Sequence, residues 1–227
     1  MFNKKIIKII KFMFLLILLL SFKEIYVSFL PINYNNMNLT QKVIAMFSAD
    51  LIFLIIIIAI YFKTLKKDFK SFFKDFLNNF EFAFKYYILG VIVMIISNLI
   101  IVFLINNSIA GNEEAVRNSI DLAPLYMLFS VSIYAPITEE LIFRKGIKDM
   151  IKNKYIYILV SGFIFGFLHI VSNITTPLDY LYLIPYSSLG IAFAYTYYKS
   201  NNIFSTMIMH SMHNTISIIL YLIGSGI

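Results

Sequence analysis

Uninterrupted apolar blocks follow one another along the chain, near residues 6–22, 43–62, 86–105, 122–143, 155–171, 178–198 and 203–223. Several approach the roughly 20 residues that one helix needs to cross a hydrocarbon core. None shows the period-two alternation of barrel strands. In lipid only helices or closed barrels satisfy the backbone polar groups. The pattern therefore predicts an all-α, polytopic transmembrane bundle of seven helices, or eight if one is split. Between the second and third blocks, Phe69, Phe72, Phe73, Phe76, Phe80 and Phe84 recur at helical spacing among lysines and acids. That segment, 68–84, predicts a separate amphipathic helix lying on the membrane surface.

Composition sharpens this picture. The chain has 227 residues and is 60% hydrophobic, well above the roughly 45–50% of an ordinary soluble domain, with a mean hydropathy of +0.82. The net charge of +7 does not mark a nucleic-acid partner, because the lysines cluster beside the apolar blocks. They alternate by side instead: residues 4–11, 63–85, 144–154 and Lys199 are basic. The loops 31–42, 106–121 and 172–179 hold only Lys42 and Arg117. Positively charged loops stay in the cytoplasm, so the amino terminus is expected inside and the carboxy terminus outside, with Lys23 a mild exception. The lysine-headed first block resembles a signal peptide, but no small-residue cleavage site follows it, and an uncleaved helix is expected. There is no cysteine, which excludes disulfides and thiolate metal sites. One integral-membrane domain, 1–227, is expected, with amino-terminal helices over 1–121 and a functional bundle over 122–223. Asp50 is expected to be an interfacial or packing residue.

Ionisable groups inside a span cost roughly 2.5–3.5 kcal/mol each on insertion scales, so each calls for a reason. Three clusters stand out. In Glu139-Glu140-Leu141-Ile142-Phe143-Arg144, Glu140 and Arg144 share a helical face and can pair, while Glu139 points elsewhere without an obvious partner. Two adjacent carboxylates repel, so one is expected to hold a proton readily, as an acid–base catalyst needs. A helix end solvated at the headgroup layer is the plain alternative. In Phe165-Gly166-Phe167-Leu168-His169, Gly162 and Gly166 form a small-xxx-small pattern that admits a neighbouring helix. His169 lies near that face, where a packing role is the plain alternative. In His210-Ser211-Met212-His213-Asn214, His210 and Asn214 share a face and could address one atom or one water. His213 is expected to be structural. These are the chain's only histidines. Together the clusters supply a carboxylate base, imidazoles and a hydrogen-bond donor, which suffices to activate water and stabilise an oxyanion.

Their order and spacing resemble the EExxxR, FxxxH and HxxxN motif set of the CAAX-protease and bacteriocin-processing (CPBP, or Abi) family of intramembrane proteases. The resemblance runs over about 124–214. It implies an endopeptidase acting on a membrane-associated peptide or protein, in peptide maturation, export or bacteriocin self-immunity. Glu139 and His169 would activate water, Glu140 and Arg144 would brace the site, and His210 with Asn214 would bind the oxyanion or complete a metal site. The resemblance leaves open whether a zinc ion takes part; its ligands would be Glu139, His169 and His210. The expected partners are membrane lipid, the peptide substrate and a further membrane protein, with no nucleic acid. A non-proteolytic regulatory or binding protein of the same fold is the alternative, and a proton-coupled transporter a third reading. The biased composition points to a bacterial cell membrane.

Counted from the nearest basic residue, Glu139, His210 and His169 lie about five, eleven and fifteen residues deep, a spread of roughly 15 Å at about 1.5 Å per residue. Bringing them together is expected to need tilt, a break near Pro136 and a water-filled cavity, conical and facing the cytoplasm.

Overall fold

The computed structural model describes residues 4–104 and 109–226. Residues 105–108, where the third predicted span ends and the following loop begins, lie outside the described residues. Among the described residues eight helices form an up-and-down bundle: α1 (Lys4–Ser28), α2 (Leu39–Lys74), α3 (Phe76–Leu104), α4 (Gly111–Leu122), α5 (Pro124–Met150), α6 (Lys154–Ile170), α7 (Leu183–Ser200) and α8 (Phe204–Ser225). Five of them, α2, α3, α5, α6 and α8, are each long and apolar enough to cross a membrane. The sequence also predicts α1 and α7 as spans. Here α7 packs between α3 and α6, and α1 against α2 and the end of α5.

Local chemistry sets the boundaries. Asn38 and Gln41 form a reciprocal capping box that starts α2, satisfying two of the free N–H groups of a helix start. The Asn153 side chain accepts from the N–H groups of Tyr155 and Ile156 and starts α6. α7 ends at Asn201, whose φ of 50° is left-handed, a conformation that stops a helix.

The separate surface helix expected over 68–84 does not form. α2 runs on to Lys74 and α3 begins at Phe76, so those residues become the ends of two long antiparallel helices. Asp68 shows why: its carboxylate is buried and accepts from the Ile203 N–H at 3.0 Å, while Asn202 donates to its carbonyl at 2.8 Å. The end of α2 thereby caps the start of α8. The phenylalanines stack on one another across the α2–α3 turn, Phe73 on Phe76 with centroids 5.8 Å apart.

The glycine pattern of α6 does what its spacing predicts. A Cβ at Gly162 would meet Ile191 N at 2.8 Å, and one at Gly166 would meet Ser187 N at 2.7 Å. The backbones of α6 and α7 therefore touch, which fixes the heights of His169 and Phe193.

Candidate active site

The site grows from an irregularity in α5. This helix does not break at Pro136 as expected; it widens instead into π-helical turns at Ser130–Tyr134 and Glu140–Gly146, a form often found at functional sites. Pro136 has no N–H and cannot serve the carbonyl four residues back. The Ala135 N–H bonds to Ser130 O, five residues back. The carbonyls of Val131 and Ser132 turn to α8: Asn214 Nδ2 donates to Val131 O at 2.6 Å, and Ser211 Oγ donates to Ser132 O. Proline thus creates the acceptors that fasten α8 to α5.

On the second π-turn, Glu140 and Arg144 form the predicted pair, with Nε to Oε2 at 3.0 Å and both side chains wholly buried. Nη1 of Arg144 donates to Ser161 Oγ at 3.0 Å and to Ser161 O at 3.2 Å. The guanidinium lies 4.6 Å from the ring centre of Phe165. Ser161 Oγ in turn donates to Phe143 O at 2.7 Å. The guanidinium is thus held through Nε and Nη1, while Nη2 is buried without a hydrogen-bond partner.

His210 Nδ1 donates to Glu140 Oε1 at 3.1 Å, which leaves Nε2 turned to Glu139 Oε2 at 3.9 Å. The ring is clamped by Phe193, stacked at 5.3 Å, and Phe165, edge-on at 5.6 Å. Nδ1 of His169 donates to Phe165 O at 2.8 Å, and its ring stacks on Tyr186 at 5.2 Å. In the neutral ring this tautomer leaves Nε2 free to accept a proton. Glu139 itself is 18% exposed, and its Oε2 is buried with no hydrogen-bond partner.

Glu139, His169, His210 and Asn214 all line one cavity of about 530 Å³. The structure therefore gathers the groups whose depths in the sequence looked too scattered. Their roles divide within it. Glu139, His169 and His210 present free acid–base atoms, whereas Glu140, Nε and Nη1 of Arg144, and Nδ2 of Asn214 are engaged by the scaffold. His210 and Asn214 do not converge on one atom, since Asn214 is held by Val131 O. Nδ1 of His213 lies 3.3 Å from Tyr87 OH on α3, which ties α8 to α3. Among the described residues, no three of His, Asp and Glu form a group that could hold a metal ion. The candidate zinc ligands Glu139, His169 and His210 are thus not arranged as a coordination set.

The cavity does not face the lysine-rich side as expected. Below Glu139 that side is sealed by Glu140, Leu141, Arg144, Ser161 and Thr206, each 0% exposed. Its other end is lined by Asn112, Glu113 and Arg117 of α4, Tyr186 at the start of α7, and Ser217 and Tyr221 late in α8. α4 is not among the elements expected above, although Glu113, Glu114 and the Glu113–Arg117 spacing are helix-start and i,i+4 signals. Nor are Ser161, Tyr186 and Phe193 among the expected site residues. Those are ordinary residues in sequence, and their roles follow from contacts between helices.

Away from the cavity, Asp50 is wholly buried. It is paired with Lys23 at 3.0 Å and accepts from Tyr126 at 2.9 Å and Ser130 at 3.2 Å. The lysine that seemed misplaced beside the wrong face is the counter-ion of this acid.

Residues 121–216 match the family model of type II CAAX prenyl endopeptidase, Rce1-like. Over 114 residues the chain is 33% identical to the "Putative membrane peptidase YdiL" of Bacillus subtilis, covering 49% of this chain and 43% of that one. It is 34% identical over 86 residues to the UPF0177 protein YxdF of Lactococcus lactis, covering 38% and 45%. The chain thus spans less than half the length of these curated relatives. No solved structure matches it.

Proposed function

We propose that the chain is an intramembrane endopeptidase of the CAAX-protease type, hydrolysing a peptide bond of a membrane-associated peptide or protein, a reading supported by its Rce1-like match over residues 121–216. One observation carries the reading. Of two adjacent carboxylates, Glu140 is fully engaged by Arg144 and His210, while Glu139 keeps a free oxygen in the cavity beside two imidazoles.

In this reading Glu139 accepts a proton from water as the water oxygen adds to the scissile carbonyl carbon. His169 Nε2 orients that water from the other wall. His210, its Nδ1–H held by Glu140, acts in its imidazolium form, donating Nε2–H to the developing oxyanion. Glu139 then returns the proton to the leaving amine as the C–N bond breaks. Arg144, Ser161 and Asn214 position these groups. The lysine distribution supports a multi-pass cell-membrane protein with its amino terminus in the cytoplasm. Peptide maturation or self-protection against a bacteriocin are processes such cleavage would serve.

The test is hydrolysis by the purified protein in liposomes, supplied with a defined pool of apolar peptides in ¹⁸O-water. New carboxy termini carrying one ¹⁸O, formed by the wild type and not by Glu139→Gln, support the proposal. Equal products from both, or none from the wild type, oppose it.

A further inference from the structure

Among the described residues the cavity's lining runs from the catalytic groups toward α4, at the face poor in lysine. Of the chain's 19 Lys and Arg residues, only Lys23, Lys42 and Arg117 belong to it. Its far end lies under α4, whose Glu113, Glu114 and Asp121 outnumber its single cation, Arg117. On the lysine-rich side the floor is closed by the wholly buried Glu140–Arg144 pair and by Thr206.

We propose, resting on the proteolytic reading above, that the substrate is a polypeptide segment admitted from the extracytoplasmic face: an exported peptide, or the outer part of a membrane-anchored one. Two independent observations meet here. The lysine asymmetry orients the bundle, and packing leaves the cavity open at one end. The way in runs beside α4, which is fastened by Asn112 to Tyr186 OH at 3.3 Å and by Tyr221 OH to Asp121 at 2.8 Å. Asn98 on α3 and Ser217 on α8 line the same passage. A cytoplasmic polypeptide would have to cross the buried ion pair to reach Glu139.

The natural chain has no cysteine, so single cysteines report without background. Glu113→Cys marks the passage and Lys70→Cys the opposite face. A membrane-impermeant thiol reagent is applied to intact cells and then to permeabilised ones. The expected result is Glu113→Cys modified in intact cells, with Lys70→Cys modified only after permeabilisation. Glu113→Cys protected until permeabilisation overturns the proposal. Ser217→Cys, outside the catalytic groups, gives a second readout: a bulky impermeant maleimide added outside should abolish processing in cells, and unchanged processing after verified modification overturns the proposal. Labelling does not depend on cleavage. A chain that labels as expected yet cuts nothing therefore removes the proteolytic reading and leaves the outward-facing passage in place.

Discussion

Replacing Gly166 by alanine adds one methyl group at the contact between α6 and α7. Its Cβ would lie 2.7 Å from Ser187 N and 3.0 Å from Ser187 Cα, where comfortable separations are about 3.5–4.0 Å. Both atoms are backbone, so no rotamer change relieves the contact and the two helices must separate by about 1 Å. Overpacking of this kind costs about 1–3 kcal/mol. For a chain of this size that corresponds to a fall of roughly 2–12 °C in Tm. The same displacement moves His169 relative to Glu139, and a misplacement of about 1 Å can lower turnover about 100-fold. Gly224 is the control, because a Cβ there meets nothing within 4 Å. Gly224→Ala should leave Tm unchanged or raise it slightly, alanine being the better helix former by about 1 kcal/mol. Thermal unfolding of the detergent-solubilised proteins, followed by circular dichroism, measures both. Equal Tm values for Gly166→Ala and the wild type would refute the close-contact account.

Three further outcomes are expected. Glu139→Gln should lower hydrolysis by about 10²–10⁴-fold with Tm unchanged, as measured on the liposome-reconstituted protein, because the carboxylate oxygen it alters makes no scaffold bond. Arg144→Met should destabilise the bundle by about 3–5 kcal/mol, seen as a large drop in Tm, because it strands Glu140 in the core without its cation. Asp179 is held below the usual carboxylate range, first by the Thr176 N–H and then by that of Thr175. A depressed folded value means the contribution is present above the unfolded value, near pH 4, and is lost as the pH falls through the folded one. Amide exchange at Thr175 and Thr176, corrected for intrinsic rates, should accelerate in that acid range in the wild type and show no such step in Asp179→Asn.

The spans near 155–171 and 203–223 are legible because apolar length alone specifies a membrane helix, and the structure places α6 and α8 within two residues of them. The Glu140–Arg144 pair and the glycine contact are legible because i,i+4 spacing is a geometric statement within one helix. What sequence does not give arises between helices. The capping of α8 by Asp68 joins α2 to α8 instead of leaving a surface helix, and it rests on residues 135 positions apart. Pro136 suggests a break, but whether a helix breaks or widens depends on whether a neighbour can satisfy the freed carbonyls, and Ser211 and Asn214 do. The direction of the cavity escapes the sequence for a related reason: depth counted from loops says where a residue sits, and only packing says which end is closed.

Glu139 as the water-activating base of a protease is the central claim. The most direct measurement compares peptide termini, by mass spectrometry, in membranes and medium of cells expressing the wild type or Glu139→Gln at equal, verified membrane levels. The expected result is a precursor that accumulates only with Glu139→Gln, together with a matching cleaved product only with the wild type. Identical termini in both would contradict it.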